Sequence, residues 1–216
     1  MSNALSSSNP VLLFGGTRGV GLALAQRLRD RGRTVVAMVR RGSDRSGLDA
    51  IGVEVAQGNA LDATDVARAV ARVPAGASVV STLGPRGPDD AGVDDVGQGH
   101  VIEAAQALAP QRFVLVTSIG CGEMTPYRSE RMQAALGPIL DAKTRAEEAL
   151  RQSGLPFTIV RPGGLKDGPP TGRAELVEDP TAHGMIHRED VADLVLHVLD
   201  EPSYAGKAVA AIDRSL

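Results

Sequence analysis

The stretch Val11-Leu12-Leu13-Phe14-Gly15-Gly16-Thr17-Arg18-Gly19-Val20-Gly21 decides the fold. Four successive apolar residues read as a strand buried on both faces. A helical pattern with Leu22, Ala25, Leu28 and Arg29 follows to about residue 31, where Gly32 ends it. A glycine turn in that context suits a phosphate. Gly15 permits the tight turn, Gly19 lets backbone approach a pyrophosphate, and Gly21 lets the helix pack closely on the sheet. The helix start adds N–H donors and a positive dipole end. Gly15, Gly16, Thr17, Arg18, Gly19, Val20 and Gly21 are therefore expected to hold a dinucleotide.

Outward from this turn, short β-branched runs alternate with helical patterns. Strands are expected over 34–39, 53–56, 78–83, 112–117, 157–160 and 208–212. A helix begins near Asp62 or Thr64, with Thr64 a candidate N-cap. Others cover 97–108, a long stretch ending near Gly154, and 188–199. Residues 84–90 read as a loop, and Pro162, Gly163, Gly164, Pro169 and Pro170 make 161–172 irregular. The pattern predicts an α/β chain with a Rossmann-type doubly wound parallel sheet, of about seven strands with helices on both faces. It forms a single domain over 10–216, preceded by a Ser- and Asn-rich segment, 1–9, expected to be disordered. Segments 84–95, 119–131 and 163–186 are irregular and suited to the substrate side.

Composition narrows the function classes. Aromatic residues are 2% of the 216, the formal charge is −3, and no long basic block occurs, which argues against nucleic acid as a partner. The single cysteine, Cys121, has no Cys/His cluster around it, so no metal site is supported. The acidic residues Asp89, Asp90, Asp94 and Asp95 match no ordered calcium loop and read as a solvated mobile loop. Neither a secretory signal nor an apolar run of membrane-spanning length is present. The expectation is a cytoplasmic protein without a membrane partner, a monomer or homodimer, acting on a small-molecule substrate.

The end of the second strand selects the cofactor. An acid there accepts the ribose hydroxyls of NAD, whereas arginine accommodates the 2′-phosphate of NADP. The chain reads Met38-Val39-Arg40-Arg41, without an acid, and Arg18 lies in the turn. Guanidinium groups suit bidentate phosphate contacts, so Arg18, Arg40 and Arg41 point to NADP(H).

From these residues onward the chain resembles the short-chain dehydrogenase/reductase superfamily. Its likeness is to the atypical NAD(P)-binding members, the NmrA-like and biliverdin/flavin reductase-like group. The matching pieces are Gly58-Asn59-Ala60-Leu61-Asp62, Val80-Ser81-Thr82-Leu83-Gly84, Val116-Thr117-Ser118-Ile119-Gly120, Lys143 with Glu147, the run from Ser153 to Gly163, and His187-Arg188-Glu189-Asp190-Val191-Ala192. The resemblance implies that Asn59 and Ala60 flank the adenine, with Asn59 where the family usually has Asp. It implies that Thr82, Leu83 and Gly84 line the path to the nicotinamide, with Thr117 alongside. Pro162, Gly163, Gly164 and Leu165 would pack near the carboxamide. Ser118 and Lys143 match the catalytic serine and lysine.

The chain departs from that family at the catalytic tyrosine, which is spaced four residues before the lysine. Ile139 stands there and has no proton to give. The resemblance still implies a place for Lys143 on the ribose hydroxyls, a role independent of the tyrosine. Tyr127 is the candidate substitute donor. Cys121, His187, His100 and His183 are weaker ones, each with an ordinary structural reading. An acceptor protonated by water needs none of them. The reading that follows is an NADPH-dependent oxidoreductase passing hydride to a quinone, flavin or carbonyl-type acceptor. Two alternatives remain: a non-catalytic NADP(H)-binding sensor, and a cofactor-dependent isomerase or lyase of the same superfamily.

Overall fold

Every residue of β1 (Val11–Phe14) is buried, and alternation along the strand assigns its side chains to two layers. Val11 and Leu13 pack into a core shared with α1 (Gly19–Asp30) and α6 (Arg188–Asp200). Leu12 and Phe14 pack on the other side, against α3 (Ala63–Val70), α4 (Gln98–Leu108) and α5 (Glu130–Gln152). The computed structural model describes residues 9–85 and 92–216.

The remaining strands are β2 (Val35–Val39), β3 (Glu54–Gln57), β4 (Ser78–Ser81), β5 (Phe113–Val116), β6 (Phe157–Pro162), β7 (Gly164–Lys166), β8 (Glu175–Val177), β9 (Met185–His187) and β10 (Lys207–Ile212). A short helix, α2 (Ser46–Ala50), lies between β2 and β3. The main sheet runs β3-β2-β1-β4-β5-β6-β10-β8, and all pairings are parallel except β10 with β8. Strand order reverses between β1 and β4. In a doubly wound sheet the crevice for a ligand opens at the carboxyl ends of the strands at such a reversal.

Seven parallel strands thus match the expected sheet, and β8 adds an eighth at the edge. Residues 161–172 are more ordered than their Pro/Gly content suggested. β6 continues through Arg161 and Pro162, which pair with Ala210 and Ala211 of β10. β7 and β9 form a separate parallel ribbon. The N-cap of α3 is Asp62, whose carboxylate accepts from Thr64 N at 2.8 Å. Thr64 itself lies inside the helix. Of the segment expected to be disordered, residues 1–8 lie outside the described residues. Asn9 is fixed, donating from its amide to Gln111 Oε1 at 2.7 Å and Gly76 O at 3.0 Å. Residues 86–91, most of the loop expected over 84–90, also lie outside the described residues. No helix among the described residues is long and apolar enough to cross a membrane.

Candidate active site

The turn after β1 is shaped by contacts that only glycine allows. Gly15 and Gly19 take φ values of +88° and +52°, in the left-handed region. A Cβ on Gly21 would stand 2.2 Å from the Gly15 carbonyl oxygen. Thr82, just past β4, ties the turn down. Its N–H donates to Phe14 O at 2.9 Å and its hydroxyl to Gly15 O at 3.1 Å. α1 begins after an extended Arg18, whose own side chain makes no capping hydrogen bond. The acidic first-turn residues of α3, α5 and α6 have no counterpart there. A positive helix end, without acidic residues in its first turn, and room for backbone approach fit a pyrophosphate.

A cleft of about 700 Å³ runs along the carboxyl ends of the strands from this turn. It is lined by Gly15, Gly16, Thr17, Arg18, Gly19, Val20 and Gly21, as the sequence predicts. At one end are Met38 and Val39, the last residues of β2, then Arg40 and Ser43, with Gly58, Asn59 and Ala60 after β3. Asn59 is held in place: its Oδ1 accepts from Leu61 N at 3.1 Å, and its N–H donates to Asp65 Oδ2 at 2.8 Å. Arg41 is exposed and does not line the cleft, because the chain turns away after Arg40. Of the three arginines expected at the 2′-phosphate, Arg18 and Arg40 are the two that line the cleft. Replacing Arg40 with Ala is expected to weaken NADPH binding about tenfold to a hundredfold and leave NADH nearly unchanged. Fluorescence titration with both nucleotides checks this, and an equal loss for the two removes the specificity argument.

At the other end of the cleft are Thr82, Leu83, Gly84 and Pro85, then Val116 at the end of β5 with Thr117 and Ser118 after it, and Pro162 and Leu165 beyond. Gly163 and Gly164 do not line it. Their small size serves chain packing: a Cβ on Gly163 would meet Gly184 O at 2.4 Å, and one on Gly164 would meet Met185 Sδ at 2.6 Å. α5 completes this end with Leu136, Ile139, Leu140 and Lys143, one helical stripe at spacings of three and four residues. The sequence reading missed Leu136 and Leu140, although that spacing was available to find them. Ile139 is 39% exposed and faces the cleft.

Lys143 is not alone in this wall. Its Nζ donates to Asp94 Oδ1 at 2.6 Å. Asp94 belongs to a π-helical turn, Val93–Gly97, ahead of α4, and is 5% exposed. Two residues along α5, Arg145 pairs with Asp95 at 2.6 Å. Asp94 and Asp95 are thus ion-pair partners of α5 rather than members of a solvated loop. Asp89 and Asp90 lie outside the described residues.

The other candidate donors are placed elsewhere. Tyr127 ends a 3-10 segment, Gly122–Tyr127, is 59% exposed and does not line the cleft. Segment 119–131 as a whole contributes no lining residue. Cys121 is fully buried with Sγ 3.7 Å from Leu140 O, and burial, with the nearby Glu147 charge, pushes its thiol up to about 11. It stays a neutral thiol near pH 7. His187 donates Nδ1–H to Pro169 O at 2.7 Å and His100 donates to Ala60 O at 3.0 Å. Neither lines the cleft.

Beneath Thr117 and Ser118 lies a buried ion pair. Arg161 of β6 donates to both Glu147 oxygens, at 3.0 and 2.5 Å, and to Glu123 at 2.7 Å. Thr117 Oγ1 donates to Glu147 Oε1 at 2.6 Å. Burial opposes the Arg161 charge, but its bonds to Glu147 and Glu123 hold the guanidinium above its ordinary value. Through Glu147 the cluster ties β6 and Thr117, the residue before Ser118, to α5, which carries Lys143.

A family model described as NAD(P)H-binding matches residues 15–202. Among solved structures, ChuY, an anaerobillin reductase from Escherichia coli O157:H7, is similar with a TM-score of 0.88 and 36% identity, over 96% of this chain and 98% of that one. The uncharacterized sugar epimerase YhfK of Bacillus subtilis (strain 168) is 31% identical over 203 residues, 92% of this chain and 91% of that protein. Sanguinarine reductase from Eschscholzia californica is 35% identical over 122 residues. That match covers 54% of this chain and 43% of the plant enzyme.

Proposed function

The chain belongs to the NAD(P)H-binding family, an atypical branch of the short-chain dehydrogenase/reductase superfamily, and from that premise we propose that it is an NADPH-dependent reductase of a conjugated organic acceptor. The observation that carries this reading is the apolar stripe of α5, with Ile139 facing the cleft where a proton-donating tyrosine is spaced in the wider superfamily. Leu136, Ile139, Leu140 and Leu165 offer a flat apolar acceptor contact rather than hydrogen bonds to sugar hydroxyls. An acceptor whose reduced form takes its proton from water suits that wall. A carbonyl that needs a proton delivered in place does not. The likeness to ChuY makes linear tetrapyrroles the first acceptors to test, ahead of quinones and flavins.

When bound, NADPH supplies the hydride. The glycine turn and the start of α1 would hold the pyrophosphate, Arg18 and Arg40 the 2′-phosphate, and Asn59 and Ala60 the adenine. Asp94 keeps the Lys143 ammonium in the wall of the cleft, where it would bind the nicotinamide ribose. Ser118, beside Thr117, would orient the acceptor. The leucines and Ile139 exclude water from the reacting face, which strengthens the polar contacts that remain.

NADPH oxidation measured against linear tetrapyrroles, quinones, flavins and simple carbonyls tests the proposal. Turnover is expected with the conjugated classes and not with the carbonyls. The Lys143→Met variant is expected to lose about tenfold to a hundredfold in kcat/KM with the same acceptor. Tight NADPH binding with no turnover across the panel would sink the enzyme reading and leave a cofactor-binding sensor. Epimerisation or elimination of a sugar without net NADPH consumption would favour the isomerase or lyase alternative.

A further inference from the structure

The sequence His187-Arg188-Glu189-Asp190 opens α6, and each of its side chains has a partner on a neighbouring segment. His187 holds Pro169 O, and Glu189 pairs with Arg27 of α1 at 2.8 Å. Asp190, which is buried, accepts from the backbone N–H of Thr171 and of Gly172 at 2.9 Å. These three fasten residues 169–172 and α1. Arg188 does something else. Its stem lies over the glycine turn: a Cβ on Gly19 would stand 3.4 Å from Arg188 Cδ and 3.6 Å from Nε. Its Nη1 donates to Asp167 Oδ1 at 2.7 Å. Both residues line the cleft, and both also line a smaller cavity of about 390 Å³ that includes Gln26, Arg27 and Gly168. The pair is the partition between the two spaces, beside the backbone that receives the pyrophosphate.

We propose that Arg188 is a pyrophosphate ligand of the cofactor, held across the glycine turn by Asp167 and transferred to the phosphates on binding, an inference that rests on the NAD(P)H-binding reading above. The side chains of Arg188 and Asp167 are 32% and 90% exposed. So exposed a pair is a weak restraint. A guanidinium beside a dianionic pyrophosphate, in a cleft that a bound dinucleotide closes to water, gains stronger charge-assisted hydrogen bonds. Asp167 loses little in the exchange, because water solvates its carboxylate. Holding the loop does not depend on this pair, since His187 and Asp190 already do so. Arg188 acts on the part of the cofactor that NADH and NADPH share, whereas Arg18 and Arg40 act on the part that differs.

The test compares wild-type protein with Arg188→Gln and Asp167→Asn by calorimetric titration with NADPH, NADH and inorganic pyrophosphate, and by thermal unfolding. Arg188→Gln is expected to weaken both nucleotides alike by about tenfold to a hundredfold, and to weaken pyrophosphate as a competitor. Asp167→Asn is expected to bind all three at least as tightly as wild type, since it frees the guanidinium. Equal losses in both variants would show a loop strut and overturn the proposal. So would a loss confined to NADPH, or unchanged affinity in Arg188→Gln. Should Arg188→Gln unfold, Arg188→Lys keeps the charge but loses the forked geometry, and is expected to lose affinity for both nucleotides by a smaller factor. Full affinity in that variant counts against the proposal. Failure of the wild type to bind either nucleotide would overturn the earlier reading instead.

Discussion

Replacing Gly21 with Ala is expected to abolish measurable NADPH binding in a protein that still folds. The added Cβ would stand 2.2 Å from Gly15 O, 2.9 Å from Gly15 C and 2.7 Å from Thr82 Oγ1. The threonine hydroxyl can rotate away, but the carbonyl is part of the turn itself. Either α1 lifts off the sheet or the turn deforms. α1 is anchored by Leu24 and Leu28, both fully buried, each worth about 1.5–3 kcal/mol of burial. Relieving an overpacked contact costs about 1–3 kcal/mol, so the helix stays and the turn yields. Unfolding free energy should fall by that amount, and NADPH affinity by about a hundredfold or more. Gly16→Ala supplies the comparison. Its Cβ would meet only the end of the Leu13 side chain, at 2.9 Å, and a leucine can shift. If the two variants bind NADPH equally well, the cradle argument fails.

The second large effect is expected at Arg161. Among the described residues, Arg161→Met leaves the buried Glu147 carboxylate with only the Thr117 hydroxyl donating to it, at a cost of about 3–5 kcal/mol. The double variant Arg161→Met/Glu147→Leu should recover most of that stability, since an apolar pair of similar volume replaces a buried ionic one. Denaturant unfolding of wild type, single and double variants measures the difference. A single-variant loss below about 1 kcal/mol would show that water reaches the pair. Acid should narrow the gap for a further reason. Arg161, through its hydrogen bond, holds the Glu123 carboxyl below its ordinary value of 4.5. A carboxyl depressed on folding stabilises fully above its unfolded value and loses that contribution as pH falls through the folded one. Wild type therefore loses this contribution on acidification, while Arg161→Met keeps only the smaller part that Arg151 and the backbone supply.

What the sequence discloses here follows from how local each signal is. β1, β2 and β5 are apolar at every position because both faces are covered, so the parallel core is visible in four- and five-residue runs. The glycine turn is legible for the same reason: all its determinants lie within seven residues. β7, β8 and β9 are three residues each, half-exposed for the most part, and too short to show a period. Their pairing partners are remote, so Pro and Gly content dominated the reading of 161–172. The ion pairs of the site are remote as well. Lys143 and Asp94 are 49 residues apart, and Arg188 and Asp167 are 21 apart. Nothing in the run around Asp94 distinguishes a buried carboxylate with a lysine partner from a solvated acidic turn. Ile139 was legible as an absence of tyrosine, but only the α5 stripe shows which way it faces.

The burial of Cys121 makes the protein its own stopwatch. The chain has one thiol, and it sits behind Leu140, on the α5 wall of the cleft. A thiol reagent in native buffer reaches it when its cover opens, as α5 parts from the end of β5 or the 3-10 segment after Cys121 lifts. At reagent concentrations where labelling outpaces reclosing, the alkylation rate counts openings per unit time, without any introduced probe. A bound nucleotide that bridges the two sides should lengthen the interval between them, so the same sulfur that takes no part in the chemistry reports how long the cleft stays shut.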